Sequence, residues 1–342
     1  MTDSTQSRSR DGVNPSAESP SAGVTHRFSY VPDFFKDYVE IAKSSPSGKV
    51  STQSSLGILE RVYDMPIVDS TLNSKTGPQW ARLSNYIRYL NKAHAEDGTS
   101  YKLIYVIRHG RGVHNVKMND LKASEEAGSL EQIDGNPANW RNYWSHQDGD
   151  GKVTWVDAHL VDKGITEATD LSKLWLGEAQ KDALPLPETI YTSPLARCLE
   201  TTKLAYTQVL AEHGRRLQPV VKEKLRERIT DHTCDRRSSR SWIEKNYPDF
   251  IIEDGFSELD ESWNANTSES LEQHIARTKR LFDDIFTHDT SPVISLTTHS
   301  YTVTAILAVV GYTKFLVDEG TIIPLLVRAE RAALNDTPDP PV

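Results

Sequence analysis

The sequence predicts an α/β domain built on a mostly parallel sheet, and three observations carry that expectation. The run "LIYVI" (103–107) is apolar without alternation, the pattern of a strand covered on both faces. Short apolar runs alternate along the chain with stretches of helical period. The polar residues that follow those runs are of few kinds, as expected where a ligand binds beyond the carboxyl ends of parallel strands.

The elements follow in chain order. Residues 1–23 hold almost no large apolar side chain and are expected to be a disordered tail. The rest, 24–342, reads as one domain with an N-terminal extension over 24–100. Within it, "FSYVPDFFKDYV" (28–39) is an aromatic arm lying on the main body, and Trp80, Leu83, Ile87 and Leu90 share one face of a helix. After the 103–107 strand comes a stretch rich in Gly, Asp, Asn and Trp, near 117–156, expected as a long irregular insert loop. Its "DGDG" reads as a tight turn, since the carboxylate pattern and terminal Glu of a calcium loop are missing. Its Trp140, Tyr143, Trp144 and Trp155 read as a small satellite core with one face toward a pocket.

Further on, "ETIYTSP" (188–194) is a strand running into a helix, with Ser193 as cap and Pro194 at the first helical position. Leu195, Leu199, Tyr206 and Leu210 point that helix inward, and Gly214 closes it. Cys198, on its apolar side, reads as core. "QPVVK" (218–222) is a short strand. The helix "SLEQHIARTKRLFDDIFTH" (270–288) should bury Leu271, Ile275, Phe282 and Ile285. "PVISLTTHS" (292–300) is a strand entering the apolar helix "YTVTAILAVVGY" (301–312). "GTIIPLLV" (320–327) is a last strand, placed at an edge by Pro324.

Composition narrows the function. Hydrophobic residues make up 37% of the 342 and charged residues 25%, enough for a sizeable core. The formal net charge of −9 argues against nucleic acid as a partner and requires any anionic substrate to find a local positive pocket. No apolar run reaches the ~18–20 residues that span a membrane, so no membrane partner is expected, and the first residues lack the apolar segment of a secretory signal. Two cysteines make no disulfide framework. The expected setting is cytoplasmic.

The strand ends carry the chemistry. In "YVIRHGRGVHNV" (105–116) two Arg, two His and an Asn follow a core strand. The second strand delivers Ser193 and, one helical turn on, Arg197; after "VVKEKL" come Arg226, Glu227 and Arg228; the late strand delivers His299 and Ser300. Arginine pairs bidentately with phosphate oxygens and stays charged. Helix starts at Pro194 and Ser300 would add unpaired N–H groups. A neutral imidazole can attack phosphorus, and a carboxylic acid can protonate the leaving oxygen.

"RHG" (108–110) after an apolar strand, "SPLARCLET" (193–201) and "TTHS" (297–300) before an apolar helix, in that order, resemble the histidine phosphatase superfamily, phosphoglycerate-mutase-like branch. The resemblance runs from about 102 to 327. "RGVHN", "WVDAHLVDKGITEA" and "ITDHTCDRR" are similar to the fungal and plant members of that branch. Ser300 after His299 departs from the acid-phosphatase and phytase type. The resemblance implies a three-layer α/β/α sandwich. It makes His109 the residue that is phosphorylated, Arg108 and Arg197 the phosphate clamp, His299 a second histidine bonded to the phosphoryl oxygens, and Glu227 the proton donor. Asn115 falls where the family often has a phosphate or substrate contact, and Gly110 would let the backbone approach the phosphate. Ser300, His114 and His232 are further candidates for such contacts, with His114 and His232 reading equally as buried polar groups.

The resulting expectation is hydrolysis of a small-molecule phosphate ester through a phosphohistidine. A mutase that returns the phosphate and an inactive phospho-ligand binding module are the alternatives. His232 with Cys234, and His109 with His114, are the pairs a zinc site would draw on, but neither spacing matches a standard ligand set, so no metal or cofactor is expected.

Overall fold

The computed structural model describes residues 24–63 and 77–332; the tail expected over 1–23 and part of the N-terminal extension lie outside them. The strands in chain order are β1 (Thr25–Tyr30), β2 (Lys49–Val50), β3 (Thr99–Arg108), β4 (Gln132–Ile133), β5 (Asn136–Pro137), β6 (Thr189–Thr192), β7 (Val220–Val221), β8 (Ile251–Ile252), β9 (Val293–Thr298), β10 (Leu316–Val317) and β11 (Ile322–Ala332). The helices are α1 (Tyr38–Ser44), α2 (Gln79–Ala93), α3 (Val113–Glu126), α4 (Asp162–Lys181), α5 (Ala196–Glu212), α6 (Arg240–Asn246), α7 (Leu271–His288) and α8 (Ser300–Val309).

One seven-stranded sheet runs in the order β1-β11-β3-β9-β6-β7-β8. From β3 to β8 all pairs are parallel, whereas β11 lies antiparallel to β3 and β1 antiparallel to β11. The mostly parallel sheet is therefore as expected, with an antiparallel flank that the apolar pattern did not announce. Strand β3 sits third in that order, and Leu103 to Ile107 are all buried, as two-sided cover demands.

Period-two alternation divides the helices between two faces. Tyr105 points toward Trp80 of α2 and Trp175 of α4, at ring separations of 6.2 and 4.9 Å, and Tyr206 of α5 donates to Ser295 Oγ on the same face. Phe28, through its register with Ala329 and thence Ser100, lies on the opposite face, where it packs 5.5 Å from Phe282 of α7. The result is helix–sheet–helix in three layers. The aromatic arm joins this body as expected: Phe28, Phe34, Phe35 and Tyr38 are buried.

Several local expectations are corrected. The insert is not irregular from its start, because α3 continues to Glu126. Its "DGDG" is a turn, with Asp150 Oδ1 accepting from the Lys152 and Val153 N–H groups. Its tryptophans do form a satellite core: Trp155 is fully buried with Ala158 and Cys234, and Trp140 and Trp144 pack on them. Leu271 is exposed and Ile275 only half-buried; α7 instead turns His274, Arg277, Thr278 and Leu281 inward. Pro324 lies in the second strand of the sheet, but β1 pairs only with residues from Val327 onward, so the strand is locally an edge where its missing N–H falls. No helix among the described residues is long and apolar enough to cross a membrane.

Candidate active site

Four of the expected residues converge beyond the carboxyl ends of β3, β6 and β9. Arg108 closes β3 and His109 follows it. Arg197 is the second residue of α5, after β6, and His299 links β9 to α8. All four are buried, at 7, 2, 1 and 0% exposure. The rings of His109 and His299 stand edge to face, 5.0 Å apart.

His109 has a defined tautomer. Its Nδ1 lies 2.7 Å from the Gly110 carbonyl, which can only accept, so Nδ1 carries the proton and Nε2 keeps its lone pair. Arg197 Nε donates to that Nε2 at 3.3 Å. Burial, then Arg197 and Arg108, push the His109 pKa well below the usual imidazole range, against the pull of the Gly110 hydrogen bond. A neutral imidazole with an unprotonated nitrogen set among guanidinium groups has the chemistry to attack an anionic centre.

The arginines are only partly neutralised. Arg108 donates to the Val317 carbonyl at 2.7 Å and to Glu319 at 3.1 Å. Arg197 donates to the Cys234 carbonyl at 2.8 Å, while Asp235 stands 3.6 Å off. His299 Nε2 is 2.8 Å from Ser193 Oγ and 3.3 Å from Cys198 Sγ. Burial, then Arg197, hold His299 neutral as well.

Glu227 enters from the loop after β7. One carboxylate oxygen accepts from the Arg228 N–H at 2.9 Å and the other from the Tyr301 N–H at 3.3 Å, in the first turn of α8. Burial, then the nearby Asp235 charge, raise its pKa, while these N–H groups and Arg197 pull the other way. The net upward shift suits a group that holds a proton and gives it up.

The remaining expected contacts divide. His114 is buried, its ring 5.9 Å from that of His109. Asn115 Oδ1 accepts from the Gly112 N–H at 2.9 Å and closes the start of α3, so that oxygen is committed to a helix cap rather than to substrate. Ser300 is the first residue of α8 and half-buried. His232 is half-buried, edge to face with Trp140 and His146 of the insert. Arg226 is not part of the phosphate inventory, because both terminal nitrogens bind carboxylates, Asp260 in a bidentate pair.

α8 starts at Ser300 as expected, but α5 does not start at Pro194. Ser193 and Pro194 precede α5, which begins at Ala196; Asp157 Oδ1 accepts the Ala196 N–H at 2.8 Å. Glu227 likewise takes an N–H of α8. Carboxylates therefore occupy part of each positive helix end. The close approach allowed by Gly110 is to the backbone of Gly164 in α4, where a Cβ would collide. Sequence reasoning missed Glu319 and Asp235, which carry no local signal and reach the site through folding alone.

His232, Cys234 and Asp235 offer ligand atoms within 4.8 Å of one another. Asp235 already accepts from Thr230 at 2.6 Å and faces Arg197, and burial raises the Cys234 thiol pKa well above its ordinary range. These donors fit a cation poorly.

The chain is similar to known proteins over most of its length. It is 40% identical over 290 residues to a protein of Arthroderma benhamiae named "Probable phosphoglycerate mutase", covering 84% of this chain and 80% of that one. It is 29% identical over 245 residues to "Probable phosphoglycerate mutase PMU1" of Saccharomyces cerevisiae, covering 66% and 78%. Among solved structures, the alpha-ribazole phosphatase of Shigella flexneri aligns over 66% of this chain and 94% of that one, at 16% identity and a TM-score of 0.37. The family model "Histidine phosphatase superfamily (branch 1)" matches residues 143–315, a span that holds Arg197, Glu227 and His299 and begins after His109. The chain belongs to the histidine phosphatase superfamily.

Proposed function

We propose that the protein hydrolyses a small phosphomonoester through a phosphohistidine, without a metal ion. The observation that carries this reading is the bare Nε2 of a neutral, buried His109 between Arg108, Arg197 and His299. The His109 lone pair forms a bond to phosphorus as the bond to the leaving oxygen breaks, and Glu227 gives that oxygen its proton. Water then attacks phosphorus, Glu227 takes the water proton, and the N–P bond breaks to return the lone pair to His109. The guanidinium groups stabilise the charge on the equatorial oxygens, a task metal ions perform in other phosphoryl-transfer sites.

The test is phosphate release from a panel of phosphomonoesters. His109→Ala should abolish it in a protein that melts normally, and a chelator should leave the wild type unchanged. Near-normal turnover in His109→Ala sinks the mechanism. The names of the curated relatives favour a second reading, a mutase using the same His109. Phosphorus NMR of the products separates the two: free phosphate marks hydrolysis, an isomerised ester marks transfer.

A further inference from the structure

The stretch Gly112–Val113–His114–Asn115 is not used by the mechanism above, yet it stands against the nucleophile. His114 is 6% exposed, and its Nδ1 is buried with no hydrogen-bond partner among the described residues. That edge of the ring lies on Gly112: a Cβ built there would stand 2.8 Å from both Nδ1 and Cε1. Gly112 has φ −94°, open to any residue, so the ring and not the backbone is what excludes a side chain. Asn115 fixes the same loop by accepting the Gly112 N–H.

We propose that His114 is a neutral hydrogen-bond donor to the phosphoryl group through Nε2–H, in a space that Gly112 keeps free. The inference rests on the reading that a phosphoryl group occupies this site. A neutral imidazole has one N–H and one bare nitrogen. A buried N–H without an acceptor is rarer than an unsatisfied acceptor, so Nδ1 is the bare one and Nε2 carries the proton. Burial, then Arg197, His109, Arg108 and His232, keep the ring from charging. The two histidines therefore have opposite tautomers: His109 presents a lone pair at Nε2 and His114 a proton. One attacks phosphorus, and the other binds an oxygen on it.

The experiment measures binding of inorganic phosphate and orthovanadate to the full chain by calorimetry. A glutamine amide reaches the place of Nε2, whereas an asparagine amide reaches only that of Nδ1. His114→Gln should bind within about threefold of wild type; His114→Asn and His114→Leu should bind about 10- to 100-fold more weakly, the range of one hydrogen bond to a charged group. Gly112→Ala should weaken binding by displacing the ring, and the double variant Gly112→Ala/His114→Leu should be no worse than the weaker single. Phosphate binding by His114→Leu equal to wild type overturns the role of His114. Equal losses in Gln and Asn overturn the Nε2 assignment, a contrast that holds even if the leucine variant folds poorly. A wild type that binds neither anion overturns the phosphoryl reading itself, which a normal wild type with an unaffected variant does not.

Discussion

Arg197 and Arg226 are equally hidden, at 1 and 0% exposure, and are held by quite different surroundings. Arg226 uses both terminal nitrogens on Glu223, Asp260 and the Asp235 carbonyl, at 2.6–2.7 Å. Arg197 makes one bond to a carbonyl and one to His109, and its nearest carboxylate is 3.6 Å away. Arg226 is a tie between the loop after β7 and the 235–260 segment. Arg197 retains N–H groups that make no hydrogen bond among the described residues and faces the unprotonated Nε2 of His109. Exposure does not tell a guanidinium that is free to take a ligand from a structural one; the count of uncommitted donors does.

The contrast is breakable by experiment. Arg226→Ala should cost about 3–5 kcal/mol of stability, since it takes the bidentate partner from the buried Asp260 carboxylate, and should change activity per folded molecule little. Chemical denaturation with activity measured on the folded fraction checks both; a stable but inactive variant would place Arg226 in the site after all. Arg197→Ala should do the reverse, lowering kcat/KM by about 10²–10³ with a small shift in melting temperature. The smallest effect is the most selective. Glu227→Gln should slow esters of poor leaving groups by about 10² and p-nitrophenyl phosphate by only a few fold, because a good leaving group needs no proton. Its pH profile gives a second reading. Attack needs His109 neutral, which fails only as pH falls through its lowered pKa, well below 6.5. Protonation of the leaving oxygen needs Glu227 protonated, which fails as pH rises through its raised pKa. The wild type should therefore decline on the alkaline side of the ordinary carboxylate range, and Glu227→Gln should lose that limb.

Much of this site was legible before the structure. Arg108 and His109 stand at the end of an apolar run, and a parallel sheet gathers such ends. Arg197 and His299 follow by the same rule. The flank formed by β1 and β11 was not legible, because an apolar run does not state the direction of its neighbour. Nor was the fate of Arg226, whose partner Asp260 lies 34 positions away, or of Glu319, which meets Arg108 across 211 positions. The start of α5 misled for a local reason: Ser193 and Pro194 form a good cap signal, but Ser193 is bonded to His299, and Asp157 takes over the helix N–H. Residues that act through strand ends were readable, and residues that act by neutralising them were not.

The contact of Gly110 with Gly164 has a mechanical consequence. The loop that carries His109 meets α4 backbone against backbone at Gly110 and Gly164, beside the Arg111 N–H donated to Glu167 of α4. The glycine contact is steric, and neither salt nor proton can loosen that part of the seat. The ion pairs around the site will soften as ionic strength rises, yet the seat of His109 should not shift with them. A single methyl group at either glycine would act as a shim, tilting His109 while leaving every charge in the pocket unchanged.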